Sequence, residues 1–553
     1  MTARKRPELT RPPNLLQHGK SVGPIRSQRP IYKDLLPPCN RACPAGENIQ
    51  GWLSHARAGR DERAWQEIMK DNPLPAVHGR VCYHPCETAC NRAEVDSAVN
   101  IHAVERFLGD RALREGWRVE PIRAPSKKRV LVVGAGPSGL SAAFHLTRLG
   151  HEVRVCEAGP VAGGMMHFGI PAYRLPRREL SAEVENIERM GVEIAFNYKV
   201  ENLLAEIRGG GFDAAFVAVG AHISKRVDIP ARDASRIFDA VNVLRDAATG
   251  EAPALGRRVA IYGGGDTAMD AARTAKRLGA DEAMIVYRRD AAHMPAHASE
   301  AEGAAEEGVK MNWLRTIREV DERGIQVEIM ELGDEGYPRP TGRFESLEAD
   351  SVILALGQDS DTSFLRDVPG LEFKRDGTVV VGRDFMTGYP GVFAGGDMVP
   401  DERTVTVAVG HGKKAARHID AYLRGARYEP APKRPLAGFE KLRLWYLTDA
   451  ETEREPAQDP RERTYNFQEI VKGLGEAEAR YEAERCYSCG NCFECDACFA
   501  ACPEDAIVKL GPWRGYEIDF DRCTGCAVCY ETCPVHAIEM IPEPPANSEE
   551  PRE

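Results

Sequence analysis

The chain reads KKRVLVVGAGPSGLSAAFHLTRLGHEVRVCE from Lys127 to Glu157. An unbroken apolar run, a glycine cluster, an apolar stripe at helical spacing and a second apolar run predict strand, turn, helix and strand. The same order returns from Gly256 in GRRVAIYGGGDTAMDAARTAKRLGADEAMIVYRRD. Strands and helices that alternate in this way predict parallel, doubly wound sheets. Upstream, NIQGWLSHARAG and AVNIHAVERFLGD carry helical periodicity within a cysteine-bearing stretch, whereas residues 1–36 show no period. Past Tyr428 the Pro-rich EPAPKRPLAG reads as linker, followed by a charged segment to about Glu484 and a dense block of cysteines.

At 553 residues, 43% hydrophobic and 28% charged, the composition is that of a soluble globular protein of about three to five domains. No apolar run approaches the roughly 18 residues of a membrane helix, and the basic N-terminus MTARKRPELTRPPNLLQHGK has no apolar stretch behind it to make a signal peptide. The 16 cysteines therefore belong in a reducing cytoplasm, where clusters of them read as metal ligands rather than disulfides. Neither a membrane span nor a nucleic-acid partner is expected. Charge is uneven. From Leu474 onward 6 Lys/Arg face 17 Asp/Glu, net −11, equal to the whole chain, while residues 1–38 hold 8 Lys/Arg against 2 Asp/Glu. The basic segment is expected to be a flexible, solvated arm; docking on an acidic surface, the chain's own tail included, is the alternative.

In the first unit Gly134, Gly136 and Gly139 follow the apolar strand and open a helix. Glycines at these points permit a tight turn, let the backbone approach a pyrophosphate, and pack helix on strand. Glu157 ends the next strand, placed to accept from ribose hydroxyls. In the second unit Gly263, Gly265 and Ala268 make the turn, but the strand ends in Tyr287, Arg288 and Arg289 rather than an acid. Guanidinium forks there favour a 2′-phosphate, hence NADP over NAD; two ordinary surface arginines would leave that preference open.

Six cysteines fall between Cys486 and Cys502. Cys492, Cys495, Cys498 and Cys502, with Pro503, form the C-x2-C-x2-C-x3-C-P run of bacterial ferredoxins, and Cys523, Cys526, Cys529 and Cys533, with Pro534, repeat it. The fourth cysteine of each run crosses to the other cluster. One [4Fe–4S] cluster is thus expected on Cys492, Cys495, Cys498 and Cys533, the other on Cys523, Cys526, Cys529 and Cys502. Cys486 and Cys489 are surplus to this scheme, as structural thiols or ligands in an alternative register. Cys156 reads as an inert core residue.

GGMMHFGIPAYRLP (Gly163–Pro176), AVGA (Ala218–Ala221), ALGQ (Ala355–Gln358) and GVFAGGDMV followed by TVTVAVGHGKKAA stand in this order. Over about residues 37–425 they resemble the glutamate synthase small-subunit family, whose architecture also forms the N-terminal half of dihydropyrimidine dehydrogenase. The resemblance implies FAD in the first dinucleotide fold and NAD(P) in the second. By position, Gly164, Met165, Gly169, Ile170 and Arg174 would lie along the flavin and pyrophosphate, and Gly396 and Asp397 would meet the ribityl chain. Thr404, Val405 and Thr406 would aim helix N-terminal amides at the pyrimidine edge.

The resemblance also implies iron–sulfur ligation among Cys39, Cys43, Cys82, Cys86 and Cys90. The family builds two clusters here from a longer run with an additional C-x-x-C, which residues 31–38, IYKDLLPP, lack. One N-terminal [4Fe–4S] cluster is expected, on Cys43, Cys82 and Cys86, with Glu105 as fourth ligand by position, or Cys39 or Cys90 in its place. Two clusters, or none, are the alternatives.

The expected layout is an α/β protein with an arm at 1–36, a helical iron–sulfur domain at 37–120 and an FAD domain in two parts, 121–255 and 346–428. A NAD(P) domain at 256–345, a linker at 429–484, an α+β ferredoxin-like domain at 485–545 and an acidic tail at 546–553 complete it. Such a chain would be an oxidoreductase passing electrons between NAD(P)H, FAD and [4Fe–4S] clusters, flavin standing between hydride and single-electron carriers. No side-chain acid or base stands out as catalytic; the flavin carries the chemistry. The expected role is the nucleotide-reactive subunit of a larger enzyme, such as a 2-oxoacid or aldehyde oxidoreductase. A self-standing NADPH:ferredoxin reductase and a non-enzymatic electron-transfer scaffold are the alternatives.

Overall fold

The computed structural model describes residues 26–544 apart from 226, 228, 232–235, 322–323 and 446–447. Most of the expected arm, residues 1–25, and the acidic tail at 546–553 lie outside the described residues.

RVLVV has apolar side chains on both faces, so Arg129–Val133 must be covered on both sides. It forms the centre of a five-stranded parallel sheet in the order Val392–Ala394, Ala214–Val217, Arg129–Val133, Glu152–Cys156, Glu193–Ala195. The helices Pro137–Arg148 and Val405–Leu423 pack together, so close that a Cβ on Gly412 would stand 2.3 Å from the Ser138 carbonyl oxygen. RVAIY does the same in a second five-stranded parallel sheet: Lys310–Trp313, Glu282–Tyr287, Arg258–Tyr262, Ser351–Leu354, Ile237–Asp239. Two of these strands lie outside the 256–345 boundary read from sequence. Ile237–Asp239 and Ser351–Leu354 fall in the range expected for the flavin domain, but the half-buried first and the buried second complete the second sheet by parallel pairing. Both are short apolar runs, and local pattern does not say which sheet receives them.

The N-terminal helices Ile49–Arg57, Asp61–Ile68 and Ile101–Glu115 enclose a core that includes Trp52, Leu53, Ile68 and Leu108, while Pro75–Val81 turns Val77 and Val81 into the core of the first dinucleotide fold. Ala483, from the far end of the chain, is part of the helical core. Residues 429–484 therefore differ from the expected linker. Leu36 bridges to Leu436, Ile470 N donates to the Tyr173 carbonyl at 3.0 Å, and Arg106 reaches Glu469 at 2.9 Å. Several of the charges that make this segment read as a linker, among them Glu455, Arg463 and Glu469, are spent on partners distant in sequence. Glu482, fully buried, takes the Arg485 guanidinium at 2.8 Å and accepts from the backbone N–H groups of Asn100 and Glu453 at 2.8 and 2.6 Å.

The described end of the basic arm is likewise ordered. Gln28–Tyr32 pairs antiparallel with Ile538–Pro542, Arg26 meets Glu543 at 2.6 Å, and Lys33 pairs with Glu539. It thus docks on the acidic C-terminal domain, where the short helices Ala497–Ala501 and Val528–Thr532 accompany the hairpin Ile507–Lys509/Tyr516–Ile518.

Replacing Glu482 by Ala removes the nearer counter-charge of the buried Arg485, at 2.8 Å, and leaves only Asp96, at 3.4 Å. Urea unfolding of the anaerobic holoprotein is expected to show a loss of about 3 kcal/mol, against less than about 0.5 kcal/mol for the exposed neighbour Glu484→Ala.

Candidate functional site

Each glycine turn has a closed side and an open side. A Cβ on Gly134, whose φ is +103°, would lie 2.5 Å from the Ala218 carbonyl oxygen, and one on Gly139 would lie 1.9 Å from that of Gly134. A Cβ on Gly136 would meet nothing within 4 Å and would enter the cavity at the helix N-terminus. The second turn repeats this: Gly263 backs onto Ala355 at 2.2 Å, Gly265 faces open space, and Ala268 is fully buried. Both turns therefore leave room for a pyrophosphate where unpaired backbone N–H groups point.

A cavity of about 610 Å³ runs between the two folds. Gly134, Gly136, Glu157, Gly164, Met165, Gly169, Ile170, Gly396, Asp397, Thr404 and Val405 line it, while Gly139 and Thr406 do not. Glu157 braces the turn, accepting from Ala135 N and Gly159 N at 2.7 Å each. Thr404 caps the helix by accepting from Val407 N at 3.2 Å, so the helix N-terminus lies at the cavity wall that Thr404 and Val405 line. Asp397 is desolvated there, which lifts its carboxyl to about 6. Arg174, expected along the flavin and pyrophosphate, lines the same cavity. Its guanidinium is held by Asp270 at 2.7 Å and by Glu300, both from the second fold, so it fastens the two folds together. Arg288, exposed, and Arg289, whose guanidinium lies 5.9 Å from the Tyr337 ring centre, stand at the end of Glu282–Tyr287, off the main cavity. Neither makes an ion pair with a described residue.

Two features escaped the sequence reading. His411 accepts from Gly396 N at 3.2 Å through Nδ1 and donates to Asp401 at 3.0 Å through Nε2, so it sets the turn that carries Asp397. Tyr83 stacks on His297, whose Nδ1 meets Asp266 at 2.9 Å, closing the N-terminal domain over the second fold. Each depends on pairs that only folding brings together.

Beside the cavity, Cys43, Cys82 and Cys86 lie close enough for their thiols to influence one another. Thr406, at the start of the helix Val405–Leu423, donates its hydroxyl to Cys82 Sγ at 3.1 Å, and Val81 and Tyr83 on either side of Cys82 line the cavity. Glu105 and Glu47 sit near this triad, buried, both reached by Asn72 Nδ2 (2.7 and 3.0 Å). Burial and the neighbouring Glu47 hold the Glu105 carboxyl well above its ordinary range, and burial with the charge of Asp71 lifts Glu47 to about 7. Cys39 and Cys90 line a different cavity, together with Cys486 and Cys489. In the C-terminal domain Cys492, Cys495, Cys498 and Cys533 surround one cavity, and Cys502, Cys523, Cys526 and Cys529 another. Cys156 is buried in the core at the end of its strand.

Two dinucleotide folds sharing one cavity, with thiol clusters at its wall and beyond, define a pyridine-nucleotide-dependent iron–sulfur flavoprotein oxidoreductase. Residues 128–412 match the pyridine nucleotide-disulphide oxidoreductase family, and the chain belongs to it. Residues 32–117 match dihydropyrimidine dehydrogenase domain II, 4Fe-4S cluster, and residues 479–540 a 4Fe-4S dicluster domain. The NADP(+)-dependent formate dehydrogenase subunit beta of Moorella thermoacetica is 38% identical over 74% of this chain and 63% of its own length. The NADPH-Fe(3+) oxidoreductase subunit beta of Geobacter sulfurreducens is 36% identical over 70% and 63%, and the glutamate synthase [NADPH] small chain of Escherichia coli 33% over 70% and 89%. The chain thus spans 63% of the length of the first two. Among the described residues no helix is long and apolar enough to cross a membrane.

Gly136→Val should leave the fold intact but empty the flavin site, since its side chain meets only the cavity; circular dichroism and flavin stoichiometry check both halves. Asp397 titrates above its ordinary value of 3.8, so its ionisation opposes folding: the cost is absent well below that value, grows from about pH 4 as the unfolded chain ionises, and is complete above about pH 6. Flavin-stripped Asp397→Asn should therefore exceed the unaltered apoprotein in stability by on the order of 2 kcal/mol at pH 8, with the advantage shrinking toward zero as the pH falls below about 4, while binding flavin more weakly.

Proposed function

We propose that the chain is the NADP(H)-reactive electron-transfer subunit of a larger oxidoreductase. The observation that carries this reading is the Thr406–Cys82 contact of 3.1 Å, which joins the helix terminus at the flavin cavity to the first cysteine set. In this reading Gly134, Gly136 and Gly139 cradle the FAD pyrophosphate, with Glu157 at the ribose and Gly164, Met165, Gly169 and Ile170 along the isoalloxazine side. Gly396 and Asp397 hold the ribityl chain, and the amides at Thr404–Thr406 face the pyrimidine edge. Gly263, Gly265 and Ala268 cradle the NADP pyrophosphate, and Arg288 and Arg289 take its 2′-phosphate. Cys43, Cys82 and Cys86, with Glu105 nearby, hold a flavin-side cluster. The two four-cysteine sets of the C-terminal domain hold [4Fe–4S] clusters. Bound flavin supplies the conversion between hydride and single-electron transfer. The protein's contribution is positioning: the Arg174–Asp270 pair fixes one fold against the other, and His411 fixes the turn under the flavin.

Two relatives carry names of beta subunits, which supports a catalytic partner that exchanges electrons with the C-terminal domain. That partner would present a basic face to a segment of net charge −11. Isolation of the tagged protein from its native cell should bring a second subunit with it; a chain found alone and fully active with a small ferredoxin would favour the self-standing reductase. For nucleotide choice, Arg288→Ala and Arg289→Ala should each lower the NADPH/NADH ratio of kcat/KM about ten- to a hundredfold, corresponding to about 1.5–3 kcal/mol. An unchanged ratio would remove the 2′-phosphate assignment.

A further inference from the structure

Cys486 and Cys489 have no place in the ferredoxin repeat, and Cys39 and Cys90 stand apart from the flavin-side triad. In the folded chain these two leftovers meet. All four line one cavity, closed by apolar side chains that include Pro38, Leu53 and Ile101. It measures about 20 Å³, the same as each of the two cavities surrounded by the ferredoxin-type cysteine sets.

The turn that delivers the pair is built like a cluster-binding turn. Ser488 adopts a left-handed conformation, φ +58°, and sends its N–H to Cys486 Sγ at 3.4 Å. Glu494 does the same for Cys492 in the ferredoxin repeat, with φ +59° and its N–H on that sulfur. Asn91 Nδ2 donates to Cys489 Sγ at 3.3 Å, and Gln50 Nε2 reaches Ser488 Oγ at 2.5 Å. Hydrogen bonds to sulfur of this kind favour a thiolate and tune a cluster. Gly490, φ +74°, closes the turn where a Cβ would lie 2.5 Å from Leu35 Cβ and 2.7 Å from Ala437 Cβ. The pair is therefore wedged against the N-terminal segment rather than hanging from it.

The spacing of the sulfurs separates two metals. Four thiolates on a single zinc, at about 2.3 Å each, stand about 3.8 Å apart. Among the described residues, no three cysteine sulfurs lie within 4.8 Å of one another, here or in the ferredoxin-type sets. The set is too wide for one ion and encloses the same space as its two neighbours. No disulfide uses these sulfurs either.

We propose that Cys39, Cys90, Cys486 and Cys489 ligate a further [4Fe–4S] cluster, shared between the two ends of the chain. The missing N-terminal C-x-x-C pair is thereby supplied from the C-terminal segment. Cys39 and Cys43 are one helical turn apart, about 6 Å along the helix, so the site adjoins the flavin-side triad. Cys489 and Cys492 are three residues apart, at most about 11 Å between Cα atoms, so it also adjoins the first ferredoxin-type set. It occupies the gap between them. The site does not depend on the nucleotide assignments above.

The test is the iron, acid-labile sulfide and zinc content of the anaerobically prepared full chain, alone and as Cys486→Ala/Cys489→Ala. Unaltered protein should hold about sixteen iron and sixteen sulfide per FAD, and the double variant should lose about four of each, with full flavin content and normal bleaching by NADPH. Cys489→Ser guards against misfolding: it retains a ligating oxygen, and should keep its iron while altering the electron paramagnetic resonance spectrum of the reduced protein. Equal iron in the double variant and the unaltered protein, or one zinc per chain lost from the variant in place of iron, would each overturn the proposal. Failure of NADPH to bleach the flavin in any form would instead count against the function proposed above and leave the metal count readable.

Discussion

The buried pair of Glu482 and Arg485 fastens one end of the chain to the other. Its guanidinium spans Ser97, Ala98 and Ala450 besides Glu482, while Arg92 donates to the Arg485 carbonyl at 2.7 Å. A charge pair taken this far from water is tolerated only when nearly every donor and acceptor is matched, and here the matching groups come from three separate segments. The cysteine pair that follows directly is held in register by this knot. The ferredoxin-type domain beyond it is further pinned by the strand Gln28–Tyr32. The C-terminal domain is thus built into the body of the protein and is not a module hung on a free tether.

The same logic governs the nucleotide cavity. Two folds that bind independent cofactors must be held at one distance, and the Arg174–Asp270–Glu300 cluster does so with buried charges contributed from both. The helix Val405–Leu423 serves three contacts at once. Its N-terminus faces the cavity, Thr406 touches Cys82, and Lys413 Nζ reaches Asp71 at 2.9 Å in the helical domain. Shifting that helix would disturb the flavin site and the cysteine triad together. Tight packing of glycine against helix, as at Gly412 on Ser138, leaves little freedom for such a shift.

Local pattern determined much of this protein. Apolar runs bounded by glycine identified the central strands, the two Gly-x-Gly turns and their helices, because each is a contiguous stretch whose backbone requirement is met by its own residues. The C-x2-C-x2-C-x3-C-P repeats likewise carry their ligand spacing in sequence, and even the crossing of Cys502 and Cys533 follows from it. Tertiary structure decided what depends on partners far along the chain: which sheet takes Ile237–Asp239 and Ser351–Leu354, where the charges of residues 429–484 are neutralised, and that Arg174 is occupied by carboxylates. It also decided that Cys486 and Cys489 stand beside Cys39 and Cys90. The contact of Gln50 with Ser488 spans 438 positions, and no periodicity of a strand or helix extends so far. Side-chain spacing along a chain encodes neighbours within a turn or a ladder, whereas a site assembled from both ends exists only once burial has brought those ends together.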